Sequence, residues 1–242
     1  HAWSLCVEEH FYLLFPALAL LLARRPSTAK FWAVCIAILI GGIALRTSVW
    51  LHFDALQPQR AWFVEDIYYP TWNRLDGLLM GVMLATWQAY RPDSWARFAK
   101  HANVAALLGV AVLVLAFWLF RERTGLLGNS IGWPVLSLAL ALLVFAGAQP
   151  HGLLGKRALP GAAWFAAISF SLYLVHKPMY GVVESQWGEW LEGRGLVAYA
   201  AYGVASLLAA AVLYYAVERP GLRLRTKFLL RGESKSTVSA SA

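Results

Sequence analysis

Seven stretches of about 20 residues, each almost entirely apolar, dominate this sequence. They are residues 5–23, 31–51, 71–90, 103–120, 130–148, 160–178 and 195–217. A transmembrane α-helix needs about 20 such residues, and the stretches lack the alternation of polar and apolar residues that is typical of a membrane β-barrel. The sequence therefore predicts an all-α, polytopic bundle of transmembrane helices with about seven spans.

Charged residues are scarce and mostly basic. They make up 14% of the 242 residues, whereas a soluble domain has about 25%, which excludes an ordinary soluble protein and a disordered one. Of the 21 lysines and arginines, 14 follow the first, third, fifth and seventh stretches. The positive-inside rule places these segments in the cytoplasm and His1 outside. The net charge of +8 thus predicts a multi-pass protein of the inner (plasma) membrane, in contact with the lipid bilayer and not with nucleic acid.

The predicted domain organisation is simple. We expect one transmembrane domain over residues 1–220, followed by a basic, serine-rich cytoplasmic tail over 221–242. Cys6 and Cys35 lie near opposite ends of their spans, and neither has the Cys and His neighbours of a zinc site. We therefore predict no disulfide and no metal site.

The run WSLCVEEHFY at residues 3–12 overlaps the start of the first stretch and contains two adjacent carboxylates. One interpretation is structural, because Ser4 is a good N-cap and carboxylates in a first turn stabilise the helix dipole. The other is functional, because Glu8 and Tyr12 lie one turn apart on one face and a carboxylate entering a span usually faces a partner or a wet cavity. Such a carboxylate can orient and charge-stabilise a histidine base, which makes Glu8 a candidate catalytic residue.

The sixth stretch carries three polar residues at helical spacing. Ser169, Tyr173 and His176 are separated by four and three residues, so they form one polar stripe on an otherwise apolar helix. A lone histidine near the outer end of a span is often an interfacial hydrogen-bonding residue. The stripe favours a catalytic or binding surface, and both interpretations stay open.

Two arginines near predicted outer ends are candidates for binding an anion. Arg74 precedes Asp76 by two residues, so the two side chains point in different directions and cannot simply neutralise each other. Glu8 or a substrate group is a possible partner of Arg74, and Arg46, inside the second stretch, is a second candidate. The alternative for both arginines is snorkelling to the membrane surface.

Four segments in the same order resemble the hallmarks of the acyltransferase 3 family of integral membrane acyltransferases. They are a Trp-Ser-Leu-x-Val-Glu run that continues through Phe-Tyr to a proline (3–16), an Arg-x-Asp-x-x-x-x-Gly run (74–81), an Ile-Ser-x-Ser-Leu-Tyr-Leu-x-His-x-Pro run (168–178) and a closing Val-Glu-Arg-Pro (217–220). Each lies at a predicted span boundary, and together they cover the whole chain.

This resemblance implies transfer of an acyl group, by default acetyl, from acyl-CoA to a hydroxyl of a carbohydrate or glycoside at the bacterial cell surface. Acyl-CoA is then a donor substrate, and no cofactor is implied. The implied catalytic residues are Glu8, Tyr12 and His176. The implied substrate-binding residues are Trp3, Ser4, Arg46, Arg74 and Tyr173.

The chain also departs from the family pattern. Family members are similar to a ten-span design whose first span carries an arginine and a histidine about ten residues apart, and that histidine is thought to be the general base. With seven predicted spans, we expect three further spans and this base ahead of His1. Some relatives also carry a soluble esterase-like domain after the last span, for which this tail is too short.

Three other interpretations stay open. A transporter or flippase of a surface-glycan precursor also needs polar residues inside its spans, although the repeat symmetry or paired broken helices of many transporters are not visible. A non-catalytic membrane scaffold would leave Glu8 without a purpose. The chain on its own is also interpretable as an incomplete and inactive fragment.

Overall fold

In a computed structural model, the described part of the chain comprises residues 3–23, 27–56, 59–122, 124–156 and 160–226. Its regular secondary structure is helical, which confirms the predicted all-α fold class. The α-helices are α1 (Trp3–Ala23), α2 (Thr28–Leu56), α3 (Leu75–Tyr90), α4 (Pro92–Ala99), α5 (Ala102–Leu119), α6 (Trp133–Gly147), α7 (Ala162–Leu191) and α8 (Gly195–Leu213).

Shorter helical segments connect several of these helices. Phe63–Tyr68, Gly128–Gly132 and Tyr214–Glu218 are π-helical, and Thr71–Asn73 is a 3₁₀ turn. π-Helical segments are rare and occur frequently at functional sites. Two of the three therefore draw attention to the connections before α3 and before α6.

Among the described residues, four helical segments are long and apolar enough to cross a membrane. They are Thr28–Leu56, Ala102–Leu119, Gly128–Gly147 and Gly195–Thr226, and they match the second, fourth, fifth and seventh predicted spans. The count of about seven spans is not confirmed. At 16 residues α3 is short for a span, while α1 and α7 carry charged residues such as Glu8 and Lys177.

The first compact unit, His1–Ala158, contains α1 to α6. Its closest helix packing is between α5 and α6, where a Cβ added to Gly109 would lie 2.9 Å from Leu143 Cγ. The absence of a side chain at Gly109 lets the two backbones approach, as is common between membrane helices. Two residues further along α6, Phe145 stacks on Trp87 of α3, with ring centroids 5.4 Å apart.

The second compact unit, Leu159–Ala242, is a hairpin of α7 and α8. A three-residue connection joins the helices, and Gly193 in it has a φ of 73°, a left-handed conformation that suits glycine. The buried side chains of the hairpin include Ile168 and Val183 of α7 and Ala210 of α8. This packing aligns the polar stripe of α7 with the neighbouring face of α8.

The described helix that begins at Gly195 continues to Thr226, and residues 227–242 of the predicted tail lie outside the described residues. The division into a domain at 1–220 and a tail at 221–242 stays a prediction. The membrane orientation also stays a prediction, and several of the basic residues on which it depends lie outside the described residues, as does His1.

Candidate active site

The first unit contains a buried ion pair between α2 and α3. Arg46 is 1% exposed, and its Nη1 donates to Asp76 Oδ2 at 2.8 Å while Nη2 lies 3.4 Å from Asp76 Oδ1. The same guanidinium donates to the backbone oxygens of Asn73 at 3.0 Å and Ser130 at 3.2 Å. Arg46 therefore does not snorkel to the surface, because four oxygens of the protein surround its charge.

The short irregular segments explain why so many acceptors meet at one arginine. The 3₁₀ turn Thr71–Asn73 and the π-helical Gly128–Gly132 each direct a backbone carbonyl at the guanidinium. Gly42 leaves room beside it, since a Cβ there would lie 3.4 Å from Arg46 Nη1. The sequence pattern did not predict Asp76 as the partner of Arg46, and the role of Arg46 in substrate binding stays a prediction.

Arg74 lies next to this cluster and is held mainly by aromatic rings. Its Nε donates to the backbone oxygen of Tyr68 at 2.8 Å. Its guanidinium carbon lies 3.7 Å from the ring centroid of Trp133 and 4.4 Å from that of Tyr68, which is cation–π geometry. Among the described residues no ion pair joins Arg74 to Glu8, so this possible pairing is not formed.

Helix α1 carries the first predicted motif. Ser4 and Glu8 are half-buried, while Tyr12 is 59% exposed. Ser4 lies inside α1 and not ahead of it, so it is not the N-cap. The Trp3 side chain lies outside the described part of the structure. Within the described ranges Glu8 forms no ion pair with a basic residue.

A hydrogen bond that sequence reasoning missed connects α1 to the segment before α3. His10 Nδ1 lies 2.9 Å from Thr71 Oγ1. The two residues are 61 positions apart, so no local pattern in the sequence could indicate the bond. It fixes the half of α1 that carries Glu8 against the turn that leads to Arg74.

In the second unit the predicted polar stripe lines a cavity. Ser169, Tyr173 and His176 of α7 face a space of about 460 Å³, which Ser206 of α8 also lines. His176 Nδ1 lies 2.7 Å from the backbone oxygen of Tyr173. A carbonyl oxygen only accepts hydrogen bonds, so Nδ1 carries the proton and the lone pair of the neutral imidazole is on Nε2.

Another unpredicted hydrogen bond links two of the family-like motifs. Ser171 is 1% exposed, and its Oγ donates to Glu218 Oε2 at 2.6 Å. Ser171 belongs to the run at 168–178 and Glu218 to the closing run at 217–220. The hydrogen bond connects α7 to the π-helical end of α8 within the second unit.

Among the described residues, no group of three or more His, Cys, Asp or Glu side chains is placed to hold a metal ion. Cys6 and Cys35 are both free thiols, the first exposed and the second buried.

Comparison with known proteins identifies the family. The family model described as an acyltransferase domain, acyltransferase 3, matches residues 1–215. The chain is 28% identical over 189 residues to the O-acetyltransferase OatA of Staphylococcus aureus strain NCTC 8325 / PS 47 and to that of strain COL. A further similar protein of strain COL, SACOL0978, is provisionally named an O-acetyltransferase and is 26% identical over 194 residues.

The matched region is only part of each relative. It covers 76% of this chain but 30% of OatA, so the chain spans about a third of the length of the curated relatives. No solved structure matches it. The family match nevertheless extends over most of the chain and includes the motifs at 3–16, 74–81 and 168–178. The chain belongs to the acyltransferase 3 family.

Proposed function

We propose that this chain forms the membrane part of an O-acyltransferase. It would move an acyl group, acetyl by default, from acyl-CoA to a hydroxyl of a carbohydrate or glycoside at the bacterial cell surface. The observation that carries this proposal is the acyltransferase match over residues 1–215. The similar Staphylococcus aureus proteins are named O-acetyltransferases, which supports acetyl as the group and oxygen as the acceptor atom.

The step that most needs catalysis is activation of the acceptor hydroxyl. A sugar hydroxyl is a poor nucleophile near neutral pH, and a positioned general base contributes typically 10²–10⁴-fold in rate. The hydroxyl oxygen attacks the thioester carbonyl, a C–O bond forms and the C–S bond breaks. The proton that the base removes then goes to the departing CoA sulfur.

Glu8 is the proposed charge-stabilising residue. Its carboxylate is half-buried on α1 and lacks a basic partner among the described residues. An unpaired carboxylate of this kind can orient a histidine base and stabilise it when it becomes protonated. Tyr12, one turn further along α1, and Tyr173 of α7 are proposed to donate hydrogen bonds to the sugar or to the thioester oxygen.

His176 is proposed to act on the acceptor. Its ring lines the α7 cavity beside that of Tyr173, with the ring centroids 5.9 Å apart, and would contact a sugar bound there. Arg74 is proposed to bind an anionic group of a substrate. Arg46 would act by holding the neighbouring turn in place, and Trp3 and Ser4 would complete the binding surface at the start of α1.

The donor and acceptor are proposed to approach from opposite sides. Acyl-CoA is cytoplasmic, and its phosphates suit the basic segments that the positive-inside rule places there. The acceptor would bind at the predicted outer ends of the helices, where Glu8 and His176 belong by sequence. The protein would reside in the inner (plasma) membrane.

The test is acyl transfer from radiolabelled acetyl-CoA in membranes that contain the full-length protein. Glu8→Gln keeps the size of the side chain and removes its charge, so we expect a loss of several orders of magnitude in labelled glycan. Glu9→Gln is the matched control, because Glu9 is the exposed neighbour of Glu8 on the same helix.

Both variants should reach the same level in the membrane. Near-normal transfer by Glu8→Gln would remove Glu8 from the mechanism. Absence of transfer by the unmodified protein, with export of an unmodified glycan precursor in its place, would favour the flippase interpretation.

A further inference from the structure

Three cavities along the α7–α8 hairpin share lining residues and form one groove. The first, about 460 Å³, extends from Ser169 to Tyr180. The second, about 470 Å³, shares Tyr180 and adds Glu184 and Tyr202. The third, about 410 Å³, shares Glu184 and Tyr202 and continues to Glu192. The groove thus follows α7 from Ser169 to Glu192, roughly 35 Å at 1.5 Å per residue.

Aromatic rings form one part of this groove. The ring centroids of Tyr173 and His176 are 5.9 Å apart, those of His176 and Tyr180 are 6.0 Å apart, and those of Tyr180 and Tyr202 are 5.3 Å apart. A tyrosine offers an apolar ring face and a hydrogen-bonding edge. A sugar ring has the complementary surfaces, with C–H groups on its faces and hydroxyls around its edge.

Carboxylates form the other part. Tyr202 donates a hydrogen bond to Glu184, and Glu189 and Glu192 line the far end. Carboxylate oxygens accept charge-assisted hydrogen bonds from hydroxyls. None of the described lining residues of the three cavities is a lysine or arginine. The nearby Arg194 lies over the ring of Trp190, 4.2 Å from its centroid.

We infer that the α7–α8 groove binds the acceptor glycan along several sugar units, and that it selects neutral or amino sugars over acidic ones. The aromatic rings supply stacking surfaces that tolerate any uncharged pyranose. The carboxylates attract hydroxyls and ammonium groups and repel carboxylated or phosphorylated sugars. The inference rests on the proposed function, since it places the reaction in the part of the groove that holds His176 and makes Glu192 its distal end.

The test measures glycan binding directly, without acyl-CoA. Full-length protein in lipid nanodiscs is titrated with three oligosaccharides of equal length: an N-acetylglucosamine oligomer (neutral), a glucosamine oligomer (cationic) and a galacturonic acid oligomer (anionic). We expect the neutral and cationic probes to bind and the anionic probe to bind at least tenfold more weakly at low salt. This difference should shrink in Glu184→Gln and at high salt.

Substitutions of two tyrosines, one inside the groove and one outside it, test whether glycan binding belongs to the groove or to the hairpin surface in general. Tyr180→Ala removes a stacking surface and should weaken binding of the neutral oligomer about fivefold. Tyr199→Ala is the control, because Tyr199 is 81% exposed on α8 and lines none of the three cavities. Tyr180→Phe keeps the ring and should retain most of the binding.

Several outcomes would overturn the groove assignment. These are equal affinity for the three probes, an equal effect of Tyr180→Ala and Tyr199→Ala, or no oligosaccharide binding together with co-purified phospholipid that Tyr180→Ala releases. Glycan binding with the expected pattern but no acyl transfer would refute the proposed function, while the assignment of the groove to glycan binding would remain valid. Normal transfer to glycan with no effect of Tyr180→Ala would refute the groove alone.

Discussion

The two polar regions of this protein differ in what their side chains bind. In the first unit Arg46 is buried and its charge is met by Asp76 and by backbone oxygens. In the second unit His176 and Tyr180 face an open groove. Polar groups inside a helix bundle are costly unless they are paired. The paired region is therefore suited to holding the fold, and the open region to holding a ligand.

The local structure of the two regions differs in the same way. Backbone carbonyls reach Arg46 because the 3₁₀ turn Thr71–Asn73 and the π-helical Gly128–Gly132 interrupt regular helix geometry. The groove of the second unit lies on long helices, whose regular periodicity repeats polar residues along one face. The irregular backbone thus surrounds the buried guanidinium of Arg46 with acceptors. The regular helices of the second unit form the extended surface of the groove.

Asp76→Ala should have the largest effect on stability. It would leave the guanidinium of Arg46 buried without its counter-charge, at a cost of about 3–5 kcal/mol in the free energy of unfolding. Thermal or denaturant unfolding in detergent measures this loss. Asp93→Ala is the control and should cost about 0.5 kcal/mol, since Asp93 is exposed in the first turn of α4.

A double variant tests whether the pair has only a structural role. Replacing Arg46 by Met and Asp76 by Leu together removes both charges, and apolar replacements of buried pairs are often neutral or stabilising. We expect most of the stability to return. A stable double variant with normal acyl transfer would show that the pair only holds the fold, whereas a stable but inactive one would place Arg46 in substrate binding.

His176→Ala should have the opposite pattern, a large effect on turnover and a small one on stability. We expect acyl transfer to fall about a hundredfold, because the acceptor hydroxyl loses the group that positions it. His151→Ala is the control, since His151 is exposed and lines none of the described cavities. An unfolded His176→Ala protein would mean that the groove resembles the Arg46 cluster in being structural.

The elements that depend on local pattern could be predicted from sequence. Apolar length and composition predicted the all-α fold, and spacing by three and four residues placed Ser169, Tyr173 and His176 on one surface. The span count stays unconfirmed because a hydrophobic stretch does not by itself give the length of its helix. The stretch at 71–90, for example, contains a 3₁₀ turn before the 16-residue α3.

The pairings between distant residues could not be predicted. Arg46 and Asp76 are 30 residues apart, and Ser171 and Glu218 are 47 apart. Their partners depend on which helices pack together and at which depth, and one sequence does not contain that information. Opposite charges near the predicted outer ends of the second and third stretches were the available signal for Asp76.

Ser171→Ala should have an intermediate effect on stability. It tests whether the buried hydrogen bond of α7 contributes more to stability than a hydrogen bond on the exposed surface of the same helix. It removes the donor to Glu218, and hydrogen bonds to charged groups contribute about 1.5–3 kcal/mol to stability. Ser185→Ala is matched to it, because the exposed Ser185 hydroxyl donates to Val182 O at 2.9 Å within α7 itself. Equal unfolding midpoints of the two variants would contradict this role of Ser171.

Arg74→Lys should have the smallest effect and tests to which of the two regions Arg74 belongs. Lysine keeps the charge but loses the planar stacking on Trp133 and Tyr68, which contributes about 1 kcal/mol. Arg60→Lys, in an exposed ion pair with Glu65, is the control and should leave the unfolding midpoint almost unchanged. If Arg74→Lys loses stability and keeps its KM for both substrates, Arg74 has a structural role like that of Arg46. If it keeps its stability and raises the KM for either substrate, Arg74 is a ligand-binding residue.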